Sequence, residues 1–232
     1  MKRTIVTTSW DDGHVLDMKL SVLLSRYDLP ATFYIAPANR ELSPSHRLTQ
    51  TQVRELAQNF EIGAHTMTHP RLSAVDAVTA RSEIIDSKKT LEEWTGKAVT
   101  SFCYPGGDFL PEHKNMVKDA GFTRARTVKR FSLTTGTDPF EMPTTVHAYR
   151  HWSDIAPIAK ISGAKAFFTN YLNWDNLAIT LFNRANNDGG VFHLWGHSWE
   201  IEKRHDWNRL ERVFAHISHH ENIQYLRNSE LT

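Results

Sequence analysis

The chain has 232 residues, 40% apolar and 23% charged, which is the make-up of an ordinary globular protein of one large domain or two small ones. Its 27 Lys and Arg against 26 Asp and Glu leave a net charge of +1, so nothing calls for a nucleic-acid partner or an anionic membrane surface. A lone cysteine, Cys103, excludes an internal disulfide framework and any cysteine-based zinc cluster.

The N-terminus runs from Met1-Lys2-Arg3 straight into an apolar stretch, without an apolar leader or a small-residue cleavage site, so a cytoplasmic location is expected. No run of about eighteen apolar residues occurs, so no membrane span is expected. Residues 4–9 read as a first strand, followed by a helical pattern through Leu16, Leu20 and Leu24 that Pro30 ends. Residues 31–36, between two prolines, form a second strand, and 51–57 a helix with Thr49 or Thr51 as its cap. Residues 61–64 are a short third strand. The longest helical signal covers 74–94 and stops at Gly96.

Strands follow at 99–104 and 122–128, separated by a short helix over 111–120. The segment 139–149 is extended and broken by proline. Helices over 153–161 and 174–186, a strand at 191–195, a helix over 207–218 and a strand at 223–226 complete the chain. Strands alternating with helices throughout predict one parallel-strand α/β domain over residues 1–232, of the kind that closes into a barrel. Catalytic groups in such a barrel sit at the C-terminal ends of strands.

The first strand ends on Ser9-Trp10-Asp11-Asp12-Gly13-His14. Two adjacent carboxylates repel, and a bound cation is the usual remedy. His65 and His69, four residues apart, share one face if the segment makes a helical turn, and both imidazoles then reach one ion. One Asp with two His is a common three-ligand zinc set, which leaves the second carboxylate free as a base. The set also suits Co2+, Ni2+ or Fe2+.

Ser-Trp-Asp-Asp-Gly at 9–13 resembles the Thr-Phe-Asp-Asp-Gly motif of the polysaccharide deacetylase family (NodB homology, carbohydrate esterase family 4), and His65-Thr66-Met67-Thr68-His69 resembles its His-Ser/Thr-x-x-His motif. The resemblance implies a distorted (β/α) barrel with about seven parallel strands and a metal-dependent hydrolase that removes an N-acetyl group from an N-acetylhexosamine unit of a glycan or sugar precursor. It implies Asp11 as general base and Asp12, His65 and His69 as metal ligands, with Zn2+ first among the cations.

The segment 190–197 resembles the family's late strand ending in a catalytic histidine. Val191, His193, Trp195 and His197 share one face by the period of two. His197, past the strand end, is expected to be the acid ahead of His193, which lies one layer deeper, with Trp195 lining the acyl pocket. The family's third motif places an Arg before its Pro, where this chain has Cys103 in Phe102-Cys103-Tyr104-Pro105-Gly106-Gly107. Arg126, ahead of Arg124, is expected to reach Asp11 instead, and Tyr104, Pro105 and Gly106 to border the substrate. Two competing readings are a non-sugar amidohydrolase on the same scaffold, acting on a ureide or cyclic amide, and a carbohydrate-binding protein that has lost turnover.

Overall fold

The computed structural model describes residues 3–231. Its centre is β1 (Thr4–Asp12), a nine-residue strand buried along its whole length. On one side it pairs in parallel with β2 (Thr32–Ile35), which pairs with β3 (Glu61–Ala64), then β4 (Ser101–Cys103) and β5 (Arg124–Arg126). On the other side lies β7 (Gly190–Gly196), itself paired with the short β6 (Val146–His147). β8 (Ile223–Tyr225) pairs with residues 4–6 of β1, below the stretch that β2 occupies. Every pairing between these strands is parallel.

The ends of this seven-strand path approach each other. Met142 N–H donates to the Ala125 carbonyl at 2.9 Å and its own carbonyl accepts from Thr127 N–H at 2.9 Å, while Thr144 N–H reaches Lys129 at 2.7 Å. The proline-broken segment 139–145 therefore joins β5 to β6 and curls the sheet into the expected distorted barrel. Its prolines cost ladder hydrogen bonds, so the segment itself forms no regular strand, and only the two residues that follow it, Val146–His147, do.

Helices cover the outside: α1 (Asp17–Arg26), α2 (Gln50–Asn59), α3 (Ala77–Thr95), α4 (Pro111–Asp119), α5 (Ile155–Leu172), α6 (Trp174–Asp188), α7 (Ser198–Lys203) and α8 (Trp207–Ile217). Their starts are chemical. Thr49 caps α2 reciprocally with Gln52, and Asp76 accepts from Val78 and Thr79 N–H at the start of α3. The apolar stripes of α1 and α8 (Leu20 and Leu24; Leu210, Val213 and Phe214) are fully buried against Trp10 and its neighbours.

The barrel interior is instead polar. Thr7 and Tyr34 both hydrogen-bond Asn228, and Thr32 and Ser101 share Glu61. Successive strand residues point to opposite faces, which is how β1 supplies both an apolar helix-facing set and a polar interior set.

Two elements differ from the sequence expectation. The helix expected over 153–161 continues as α5 to Leu172 beyond a break at Gly163, whose φ of 62° and ψ of 176° leave the helical region. Helix α7 was not expected, because six residues are too short to show a periodicity.

Candidate active site

Asp11 and Asp12 close β1, and neighbouring strand residues ordinarily diverge. Asp12 escapes this by a left-handed backbone, φ 83°, followed by Gly13 at φ 72°. Only glycine fits there, since a Cβ would meet Ile35 Cγ2 at 2.7 Å. The chain thus turns over the strand end and both carboxylates reach one region. Asp11 stays on the interior face, in register with Tyr34 of β2.

The Arg126 side chain is fully buried, and its Nη2 donates to both Asp11 oxygens. The register explains how. Cys103 of β4 pairs with Arg126 of β5, so both side chains project on the same face and the longer one reaches Asp11 from one strand further away. The Cys103 thiol fills the space left, 3.8 Å from Asp11 Oδ2, and burial pushes its pKa up. Burial also raises the Asp11 carboxyl, but the Arg126 charge, with His65 and His197, brings it down to about 2. Asp11 is an ionised carboxylate at neutral pH.

The segment after β3 is not the helical turn expected from the His65/His69 spacing. Thr66 and His69 have φ of 63° and 67°, and Thr66 Oγ1 accepts from His69 N–H at 3.1 Å. Pro70 disfavours a helical conformation for His69, and the local hydroxyl offers the backbone a turn instead. The two imidazoles nevertheless meet, Nε2 to Nε2 at 3.2 Å. Asp12 Oδ1 lies 3.8 Å from His65 Nε2 and 3.3 Å from His69 Nε2, and this buried oxygen has no hydrogen-bond partner. Glu83, accepting from Thr68 N–H at 2.7 Å, ties the loop down.

These atoms fit a divalent cation. His65 Nδ1 lies 2.7 Å from the Cys103 carbonyl, which accepts its proton and leaves Nε2 free as a ligand. Burial and neighbouring His69 hold the His65 pKa down to about 4, in the neutral form that ligation needs. A second grouping, Asp11 with His65 and Cys103, also converges. It fits less well, because Asp11 is committed to Arg126 and the thiol is held protonated. An orphaned carboxylate oxygen facing two imidazole nitrogens favours Asp12, His65 and His69.

His197 faces this group from the end of β7. Its Nε2 lies 3.9 Å from Asp12 Oδ2, and its Nδ1 is 2.6 Å from Glu200 Oε2. Burial lowers its pKa, but Asp12 and Glu200 overcome that and raise it to about 9. Glu200 is also 3.0 Å from His147 Nε2, whose Nδ1 meets His151 at 2.8 Å. The His147 ring stacks on Trp195 at 3.8 Å, and Trp199 Nε1 donates to Asp12 Oδ2 at 2.8 Å.

Glu200, His147 and Trp199 were not among the residues expected from sequence. Glu200 had a legible signal, an acid three residues after a histidine. His147 had none, because it arrives from β6.

Of the other expected residues, His193 is one layer down, buried, with Nε2 2.8 Å from Ser9 Oγ. Trp195 is buried between His147 and the Arg126 guanidinium, which lies 4.8 Å from its ring. Tyr104 turns its side chain into the core, stacked on Phe109 with its hydroxyl donating to the Phe140 carbonyl. Its hydroxyl is therefore occupied by the chain's own backbone. Pro105 is buried and Gly106 is exposed. Arg124 lies in register with Ser101, two positions below Cys103, and is not the partner of Asp11.

Buried neutral histidines make this region acid-sensitive. Burial pushes His147 and His193 from 6.5 down to about 4 and about 3. The unfolded chain binds protons that the folded chain refuses, so stability falls as pH drops below 6.5, by about 1.4 kcal/mol per pH unit for each histidine. The loss flattens below pH 3 to 4. Urea midpoints should fall between pH 7 and pH 4.5, and His193→Gln should make that fall shallower.

The sequence profile described as Polysaccharide deacetylase matches residues 1–125, more than half of the chain. The chain belongs to the polysaccharide deacetylase family. YxkH of Bacillus subtilis is 26% identical over 126 residues, 53% of this chain and 44% of that protein. The peptidoglycan-N-acetylglucosamine deacetylase of Bacillus cereus is 28% identical over 120 residues, 50% of this chain and 42% of its own length. The chain thus spans less than half of these relatives. A solved Mycobacterium smegmatis structure superposes over 99% of this chain and 88% of its own with a TM-score of 0.68 at 17% identity, a likeness of fold. Asp11, Asp12, His65 and His69 lie inside the matched region, and Arg126, His197 and Glu200 outside it.

Proposed function

We propose that this polysaccharide deacetylase family member is a metal-dependent hydrolase that removes the N-acetyl group from an N-acetylhexosamine unit of a glycan or sugar precursor. The observation that carries the reading is the convergence at the strand ends of three things: an ionised Asp11 held by Arg126, the Asp12/His65/His69 donor set, and His197 opposite them. The family profile and the named activity of the Bacillus cereus relative support it.

A divalent cation on Asp12, His65 and His69, with Zn2+ the best match to two imidazoles and a carboxylate, supplies Lewis acidity that polarises an acyl carbonyl and acidifies water. The chain's residues do the rest. Asp11 takes the proton from the attacking water at a carboxylate oxygen, and Arg126 keeps that carboxylate oriented. The amide nitrogen leaves only once protonated, and His197 Nε2 delivers that proton. Glu200 holds His197 Nδ1–H, which aims Nε2 at the site. Trp199 walls the pocket, and Trp195 packs behind it against His147.

Acetate release from N-acetylglucosamine oligomers, measured with the cation content of the purified chain, tests this. About one cation per chain and acetate release, both abolished by chelation and restored by Zn2+, is the expected result. A retained cation with no acetate from any N-acetylated sugar would overturn it in favour of another amide substrate.

Glu200→Gln keeps an acceptor but removes the charge facing His197 and His147. Loss of an orienting partner of this kind costs about 10- to 100-fold, expected here in kcat with KM little changed. An unchanged kcat would remove Glu200 from the account.

A further inference from the structure

Beside the site lies a cleft of about 560 Å3 lined by Tyr149, Trp199, Glu200, Lys203 and Arg204, within the roughly 300–1,000 Å3 usual for small-molecule sites. Two of its lining residues touch the catalytic groups, since Trp199 hydrogen-bonds Asp12 and Glu200 holds His197. Tyr149 and Arg204 also line a neighbouring recess of about 220 Å3 that includes Arg150.

The charges here are lopsided. Lys203, Arg204 and Arg150 form no ion pair among the described residues, whereas Arg209 alongside them pairs with Asp175 and Asp206. The two acids of the cleft walls are already engaged. Glu200 is shared by His197 and His147, and Asp206 accepts from Trp174 Nε1 at 3.0 Å besides pairing with Arg209. The arginines are also pre-positioned. Arg204 lies 4.5 Å over the Tyr149 ring and donates to its hydroxyl, and Arg150 lies 3.4 Å over Trp152. Stacking fixes a guanidinium plane and leaves its N–H donors for a ligand. The chain as a whole is near neutral at +1, so this excess is local.

We propose that this cleft binds an anionic phosphate group carried by the substrate, so that the preferred substrate is a phosphorylated N-acetylhexosamine rather than a neutral oligosaccharide. The inference rests on the deacetylase reading for the position of the acetyl group, and on the cleft alone for the phosphate. A neutral sugar needs aromatic faces and hydrogen-bonding groups. It has no use for three uncompensated cations, which are costly to gather. A sugar 1-phosphate and a sugar linked through a diphosphate share the chemistry that Lys203, Arg204 and Arg150 recognise.

The test compares N-acetylglucosamine, N-acetylglucosamine 1-phosphate and UDP-N-acetylglucosamine on the Zn2+-loaded full chain, measuring binding by calorimetry and acetate release separately. Phosphorylated probes should bind about 10-fold or more tightly than the neutral sugar, as charge-assisted contacts imply, and the advantage should shrink at high salt. Lys203→Glu with Arg204→Glu, both exposed, should abolish the preference for phosphorylated over neutral sugar, with circular dichroism confirming that the chain stays folded; Arg150→Glu provides a second reading. Equal gain from both phosphorylated probes assigns the phosphate alone, and a further gain for the UDP sugar assigns a diphosphate linkage. Equal binding of neutral and phosphorylated sugars, or a preference that survives the charge reversals, overturns the proposal. Phosphate-dependent binding without acetate from any probe keeps the cleft and refutes the deacetylase. Acetate from neutral sugars with no phosphate preference does the reverse.

Discussion

Asp11→Asn is expected to cut acetate release by about 10²- to 10⁴-fold, the span of general acid–base contributions, with the cation retained. The substitution keeps the shape of the side chain and one acceptor for Arg126, but an amide oxygen cannot take the proton of an attacking water. It also has a structural cost. Arg126 is fully buried and its only carboxylate partner among the described residues is Asp11. Removing one partner of a buried pair costs about 3–5 kcal/mol, and the remaining carbonyl acceptor should hold the loss near the lower figure.

The two effects separate in a double variant. Asp11→Asn with Arg126→Gln removes the unpaired charge, so the denaturation midpoint should recover much of its loss while activity stays absent. Recovery of activity along with stability would show that Asp11 acts only as the partner of Arg126.

His65→Ala is expected to empty the cation site and abolish turnover together. His65 contributes one of three donors, and its Nδ1–H bond to the Cys103 carbonyl fixes which nitrogen faces Asp12. A cation that binds only the folded chain stabilises it by about 2.7 kcal/mol at a concentration 100-fold above its Kd. The parent chain should therefore show a rise in thermal midpoint on adding Zn2+, and His65→Ala should show almost none. This readout does not depend on any substrate. If His65→Ala retains the cation, the donor set is elsewhere, and the His147/His197/Glu200 group becomes the place to look.

Much of the site was legible because its chemistry is local. Asp11-Asp12-Gly13 announces a strand end with a positive-φ turn, and His65 with His69 announces a pair of donors. What the spacing could not supply was the conformation between them. Four residues is one helical turn, but Pro70 and the Thr66 hydroxyl favour a loop of left-handed residues, and the imidazoles converge by that route. Arg126 was legible as a candidate through the absence of an arginine at Cys103. Arg126 was also preferred to Arg124, and the strand register, which sequence alone does not specify, supplies the physical reason. Tyr104 was expected at the substrate by its place in a motif, yet its ring is drawn into a cluster with Phe102 and Phe109.

The sequence by itself determined the alternation of strands and helices, the position of the central strand, and the residues from which a donor set and a base could be drawn. These depend on periodicity, capping and turn chemistry, which act over a few residues. Tertiary structure alone decided how Arg126 of β5 reaches Asp11 of β1 through the barrel interior, that His147 arrives from β6 to share Glu200 with His197, and that three cations without ion pairs among the described residues gather around Tyr149. Those contacts join residues tens to more than a hundred positions apart, and they exist only once parallel pairing has set which side chains share a layer of the barrel.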